Sequence, residues 1–291
     1  MPLTSNPQLD QILFLIFISF LGVIFGSFLN VVIYRVPLGK SVIFPSSSCT
    51  SCGARIRAYD NIPVISWLIL RGKCRNCGNR ISPRYVFVEI ANGVLWLMLA
   101  WRFGPTASLI LGCVFCSVLL VLAFIDAQHM ILPDVITFPL FFFAIFSRLL
   151  NSIFGPFEIF QDQQYWPANQ LNFMPPIAVN LVIAFLGALI GAGILWAFAA
   201  LWKRLRGVEA MGFGDVKLML GIGAFLGWQL ALLTIFAGAV IGSFAGALVI
   251  ASRRQANLQS QIPFGIFLGL GAILSVFAGN KLLEWYLGFY N

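Results

Sequence analysis

An all-α polytopic membrane fold of about eight transmembrane helices, with a small zinc-binding loop domain, is predicted by three observations. Sixty per cent of the 291 residues are hydrophobic and 10% are charged, giving a mean hydropathy of +0.92. No soluble globular domain of this size has that balance. Apolar runs long enough to enter a bilayer recur along the chain. One polar insertion interrupts them, and it holds two Cys-x-x-Cys pairs.

The apolar runs place spans at about 11–34, 85–101, 107–125, 134–150, 177–201, 215–228, 230–251 and 263–288. A crossing needs roughly 20 residues, so the sixth is short, and its close neighbour points to a tight hairpin there. Residues 1–10 carry no basic residue and Asp10 directly precedes the apolar run, so the first span reads as retained and not as a cleaved leader. The resulting division is a first helix (1–34), a loop domain (35–84) and a multi-span domain (85–291).

Charge gives the orientation. Arg35, Lys40, Arg55, Arg57, Arg71, Lys73, Arg75, Arg80 and Arg84 share one side with Lys203, Arg204, Arg206, Lys217, Arg253 and Arg254. Only Arg102, Arg148 and Lys281 fall on the other. The positive-inside rule then makes the first side cytosolic and puts both termini outside. Topology explains the net charge of +8, and no nucleic-acid partner is implied.

The loop carries Cys49-Thr50-Ser51-Cys52-Gly53 and Cys74-Arg75-Asn76-Cys77-Gly78, with 21 residues between the pairs. Four thiolates so spaced predict a tetrahedral structural zinc site at Cys49, Cys52, Cys74 and Cys77. The bland alternatives are free thiols or disulfides, and a reducing cytosol disfavours the latter. A loop this short lacks a core, so the metal would supply its stability. Cys113 and Cys116 lie inside the third span and read as apolar packing residues.

Ten acidic residues are few enough to weigh singly. Asp10, Glu158, Asp162 and Glu284 fall outside, Asp60 in the loop, and Glu209 in a basic turn. Glu89, Asp126, Asp134 and Asp215 stand at or within membrane boundaries, where a carboxylate is costly and points to function. Asp126 ends the third span and Asp215 begins the sixth, at the same cytosolic mouth. Two carboxylates at one depth can share a proton, one acting as base on a water while the other polarises a carbonyl. Gly212 and Gly214, just before Asp215, leave room for another chain. Against these stand plainer readings. Asp134 suits a helix N-terminus, His129 a surface position, and Glu89 an ion pair with Arg84 or Lys217. Lys217 either pairs with Glu89, tunes the dyad or holds a substrate carboxylate.

With these residues in place the chain resembles the type IV prepilin peptidases, polytopic aspartic proteases of the Gly-x-Gly-Asp type. The resemblance rests on Gly26-Ser27-Phe28-Leu29-Asn30 in the first span, the paired cysteines, and Ile81-Ser82-Pro83-Arg84-Tyr85 leading to Val88-Glu89. It continues through Asp126 with Leu132-Pro133-Asp134, Gly212-Phe213-Gly214-Asp215-Val216-Lys217, and Ile262-Pro263-Phe264-Gly265. It implies a bacterial inner-membrane enzyme with catalytic Asp126 and Asp215. Its substrates would be the basic leaders of prepilins and pseudopilins in type IV pilus and type II secretion systems. Cleavage would follow a glycine, usually before a phenylalanine. It further implies N-methylation of the new terminus by S-adenosylmethionine. No Gly-x-Gly-x-x-Gly turn marks a cofactor site, and no residue is assigned to one. The competing classes are a proton-coupled transporter, whose carboxylates would run along a path across the membrane, and a zinc-loop assembly factor that binds pilins uncut.

Overall fold

The structure, a computed structural model, describes residues 7–160, 171, 173–208, 211–252 and 263–288. Asp162, Glu209, Arg253, Arg254 and Ile262 lie outside the described residues. The described chain is helical: α1 (Pro7–Arg35), α2 (Ile65–Ile69), α3 (Arg84–Phe103), α4 (Ala107–His129), α5 (Asp134–Phe154), α6 (Pro176–Arg206), α7 (Phe213–Leu226), α8 (Trp228–Ser252) and α9 (Phe264–Leu287). Among the described residues the only β-pairing is two isolated bridges, Ser48–Arg55 and Lys73–Arg80. Seven helices among the described residues are long and apolar enough to cross a membrane. The eighth, α7, has 14 residues, or about 21 Å of rise, which falls short of the apolar core. The same span is the short one in the sequence. Gly227 alone separates α7 from α8.

The chain divides into two compact units, residues 1–121 and 122–291. In the first, α1 packs against α3 through glycines that let the backbones meet. A Cβ on Gly26 would stand 2.7 Å from Glu89 Cα, and one on Gly93 would stand 2.5 Å from Val23 Cγ2. Buried side-chain amide donors find carbonyls across this contact. Asn92 donates to Gly22 O at 2.7 Å and accepts from Ser117 Oγ at 2.8 Å, and Asn30 donates to Tyr85 O at 2.9 Å.

In the second unit α7 is the buried element. Ten of its fourteen residues are buried, against α5, α6, α8 and α9. Small residues make that possible. A Cβ on Gly223 would collide with Gly187 O, and one on Gly221 would come 2.9 Å from Leu140 Cγ. The far end of α7 meets Arg148 of α5, which is fully buried. Its guanidinium donates to Ala224 O at 3.3 Å and Phe225 O at 2.8 Å, and lies 4.4 Å over the Phe160 ring. A cation there satisfies the last carbonyls of the short helix and complements its dipole.

Candidate active site and metal centre

Asp126 sits one turn before the end of α4 and is 5% exposed, and Asp215 lies in the first turn of α7 and is 7% exposed. The second unit brings them within electrostatic reach of one another, though 88 residues intervene in the chain. Asp126 Oδ2 accepts the Ile266 N–H at 3.2 Å, and Gly265 N–H also donates to this carboxylate. Both amides belong to the first turn of α9, whose N-terminal cap is Pro263. A carboxylate of one helix thus satisfies the free amides of another, where the dipole favours negative charge. Gly265 permits this contact, because a Cβ there would stand 2.7 Å from Asp126 Oδ2.

Leu132 is the part of the site that the motifs alone left unassigned. It is 9% exposed and wedges between the starts of α7 and α9. A Cβ on Gly214 would meet Leu132 Cβ at 3.0 Å, and one on Gly265 would meet its Cδ1 at 3.1 Å. The two glycines of the Gly-x-Gly-Asp run therefore differ in role. Gly214 makes room for Leu132. Among the described residues, Gly212, in extended backbone, has only Gly214 N near its missing Cβ, at 3.9 Å, and leaves room next to Asp215.

Two expected pairings are corrected. Lys217 Nζ lies 2.7 and 2.8 Å from the carboxylate oxygens of Asp134, and over the rings of Phe138 and Phe213 at 5.6 and 5.4 Å. Asp134 does begin α5, but its side chain is engaged in this exposed ion pair. Glu89 is buried in α3 and makes neither expected ion pair. It accepts the Val64 N–H at 2.7 Å, and its backbone lies against Gly26 of α1. A backbone amide leaves no mark in the sequence, whereas a lysine of matching charge does, and that is why sequence points to the ion pair. His129 is exposed, and Cys113 and Cys116 are buried inside α4.

The four loop sulfurs of Cys49, Cys52, Cys74 and Cys77 lie within 4.8 Å of one another, with Cys49 and Cys77 at 3.9 Å. Zinc–sulfur bonds of about 2.3 Å at tetrahedral angles put sulfurs about 3.8 Å apart, so the cluster fits zinc. Each pair forms the same knuckle. Cys49 N donates to Ala54 O and Gly53 N to Cys49 O, while Cys74 N donates to Asn79 O and Gly78 N to Cys74 O, all at 2.8–2.9 Å. Gly53 and Gly78 have φ of 69° and 70°, and a Cβ on either would meet nothing within 4 Å, so backbone conformation rather than space requires glycine. Hydrogen bonds from the Cys52 and Ser51 amides pull the Cys49 thiol down to about 6. For Cys77 the Asn79 amide acts the same way, but desolvation and the neighbouring sulfurs prevail and push it up to about 11. Four sulfurs this close cannot all ionise without a cation among them.

Fold and site thus define a polytopic helical membrane protein with a pair of buried carboxylates and a separate four-cysteine loop. The chain belongs to the type IV leader peptidase family. The family model described as the type IV leader peptidase family matches residues 113–247, and that of the bacterial peptidase A24 N-terminal domain matches residues 20–103. Curated relatives named prepilin leader peptidase/N-methyltransferase match over nearly the whole chain. That of Pseudomonas putida is 32% identical, covering 97% of this chain and 96% of the relative. That of Stutzerimonas stutzeri is 33% identical, with 99% and 97% covered, and that of Dichelobacter nodosus 34%, with 91% and 92% covered. No solved structure matches the chain.

Proposed function

We propose that this protein removes the short basic leader of type IV prepilins and pseudopilins at a Gly–Phe type bond, on the cytosolic face of the bacterial inner membrane. It then N-methylates the new terminus from S-adenosylmethionine. The observation that carries the peptidase reading is the meeting of Asp126 and Asp215 in one unit, with amides of α9 aimed at only one of them. Asp126, supplied with N–H donors, is suited to hold the charge and act as base, and Asp215 to hold the shared proton. Asp126 takes a proton from a water whose oxygen attacks the scissile carbonyl carbon. Asp215 gives its proton to the carbonyl oxygen. The tetrahedral intermediate then collapses, the C–N bond breaks, and the departing amine takes up a proton. The open space at Gly212 admits the substrate chain.

The methylation half rests on the relatives' shared name and on a cleft of about 310 Å³ in the first unit. Its lining mixes Ser27, Ser46, Ser47 and Asn61 with apolar Phe28 and Ile43, a size and chemistry that fit a nucleoside-bearing ligand. We assign these residues to the methyl donor, which when bound would supply an electrophilic methyl group to the new amine. The four cysteines hold structural zinc in this reading.

Purified protein in liposomes, mixed with a prepilin, tests the proposal by product mass. The expected product lacks the leader and, with S-adenosylmethionine present, gains one methyl group. Replacing Asp215 or Asp126 by Asn should lower cleavage by about 10³-fold or more while helix content holds. Full cleavage in either variant would overturn the dyad. Equilibrium binding of S-adenosylmethionine to Asn61→Ala tests the cleft independently of activity. Unchanged affinity would remove the cleft from the proposal.

A further inference from the structure

The short helix α2 is inverted for a segment in water. Its hydroxyl residue, Ser66, is turned inward and 7% exposed, donating to Tyr59 O at 2.9 Å and accepting the Ile62 N–H at 3.1 Å. Trp67 folds back on Gly72 and donates to Ile81 O at 3.1 Å. Ile65, Leu68 and Ile69 face outward, at 51%, 60% and 72% exposed. A solvated loop would place these residues the other way round.

Three hydrogen-bonding and packing facts fix the level of this segment along the spans. Val64, which leads into α2, donates to Glu89. Glu89 is five residues into α3, about 7 Å along the axis from its start at Arg84. Glu89 also lies against α1 at Gly26, where a Cβ would stand 2.7 Å from Glu89 Cα, nine residues and about 13 Å before the end of α1 at Arg35. Asn61 and Pro63 share a cleft with Ile24, Ser27 and Phe28. The chain entering α2 therefore lies alongside the two spans, inside their ends and not beyond them.

The backbone of the segment is prepared for such a place. The N–H of Ile62 goes to Ser66 Oγ, that of Val64 to Glu89, that of Ile65 to Pro63 O and that of Ser66 to Ile62 O. Satisfaction of every amide in an entering turn is what apolar surroundings demand. Val64 is a β-branched residue at φ 60°, a strained conformation that the Glu89 bond holds. Arg71 and Lys73, directly after α2, are exposed.

We propose that α2 lies in the lipid headgroup boundary of the leaflet at this end of α1 and α3. Ile65, Leu68 and Ile69 enter the acyl region, and Arg71 and Lys73 meet anionic headgroups. The helix is thus an interfacial anchor that holds the four-cysteine loop on the bilayer surface. The occupant is lipid and not a partner protein, because the anchoring contacts set the depth before any partner arrives. The site does not depend on the peptidase reading.

The test uses full-length, zinc-loaded protein in nanodiscs, with an environment-sensitive fluorescent amino acid replacing Ile69, Leu68 or, as control, Arg55. Acyl-chain-brominated phosphatidylcholine, with or without phosphatidylglycerol, supplies the quencher. Retention of zinc reports a folded loop. Quenching at Ile69 and Leu68 at least threefold above that at Arg55, increased by phosphatidylglycerol, is the expected result. A water-exposed, unquenched label at both positions would overturn the anchor. So would a blue shift at both positions that appears only when a prepilin is added, since that would identify a protein occupant. Equal quenching with and without phosphatidylglycerol would overturn the headgroup contact.

Discussion

The four-cysteine loop of the first unit and the helical assembly around α7 in the second achieve order by opposite means. In the loop the decisive groups are neighbours in sequence. Two knuckles repeat one local pattern, most side chains are exposed, and a metal suits the space among the sulfurs. Around α7 the decisive groups are far apart in sequence and almost wholly buried. Gly223 meets Gly187, Leu132 separates Gly214 from Gly265, and Arg148 closes the far end. A small exposed segment with clustered thiols can gain stability from a ligand, while a buried helix too short to cross gains it from close backbone contact.

The contrast can be broken at its metal first. Cys74→Ser should abolish stoichiometric zinc and leave the loop open to proteolysis between residues 36 and 83. Structural zinc contributes about 10 kcal/mol or more in small metal-folded segments. Helix content by circular dichroism should hardly change, because α2 has five residues. Full zinc content in the variant would exclude Cys74 as a ligand.

Next in size is the glycine contact in the second unit. Gly223→Ala drives a methyl group into the backbone of α6, with Gly187 C at 2.6 Å and Ala188 N at 3.0 Å. Overpacking against backbone should cost about 3 kcal/mol or more, read as a lowered unfolding temperature in detergent. Gly53→Ala, by contrast, meets no atom within 4 Å and bears only the strain of its φ of 69°. About 1–2 kcal/mol is expected, confined to the loop and visible as weaker zinc affinity. A larger loss of thermal stability from Gly53→Ala than from Gly223→Ala would reverse the comparison. The smallest effect belongs to Lys217→Met, which removes the exposed pair with Asp134. Its stability should fall by less than about 1 kcal/mol. A large drop in cleavage without one in stability would assign Lys217 to the substrate instead.

How far each region is legible follows from the same difference. Helix positions read from sequence fall within a few residues of those observed, because runs of apolar side chains report the need to bury backbone polar groups in lipid. The cysteine cluster is legible because ligand type and spacing lie on the chain itself. Arg148 counts, by topology, among three basic residues beyond the membrane, yet it is buried; a lone arginine in an apolar run is itself a signal of burial and function. Leu132 stands inside a recognisable motif, but nothing in a leucine announces that two glycines have been cleared around it. Glu89 draws a cation in any reading of charge, because charge is visible in sequence and a backbone N–H is not.

What the sequence determined alone were the properties each residue carries with it: helices where apolar runs are long, a cysteine cluster able to hold a metal where thiols are paired, and two carboxylates at helix ends. The tertiary structure decided the partners. It set Asp126 on the amides of α9, Lys217 on Asp134, and Val64 on Glu89. Hydropathy and ligand chemistry are carried by single side chains. Hydrogen bonds and close approaches between distant segments depend on where packing brings two backbones together.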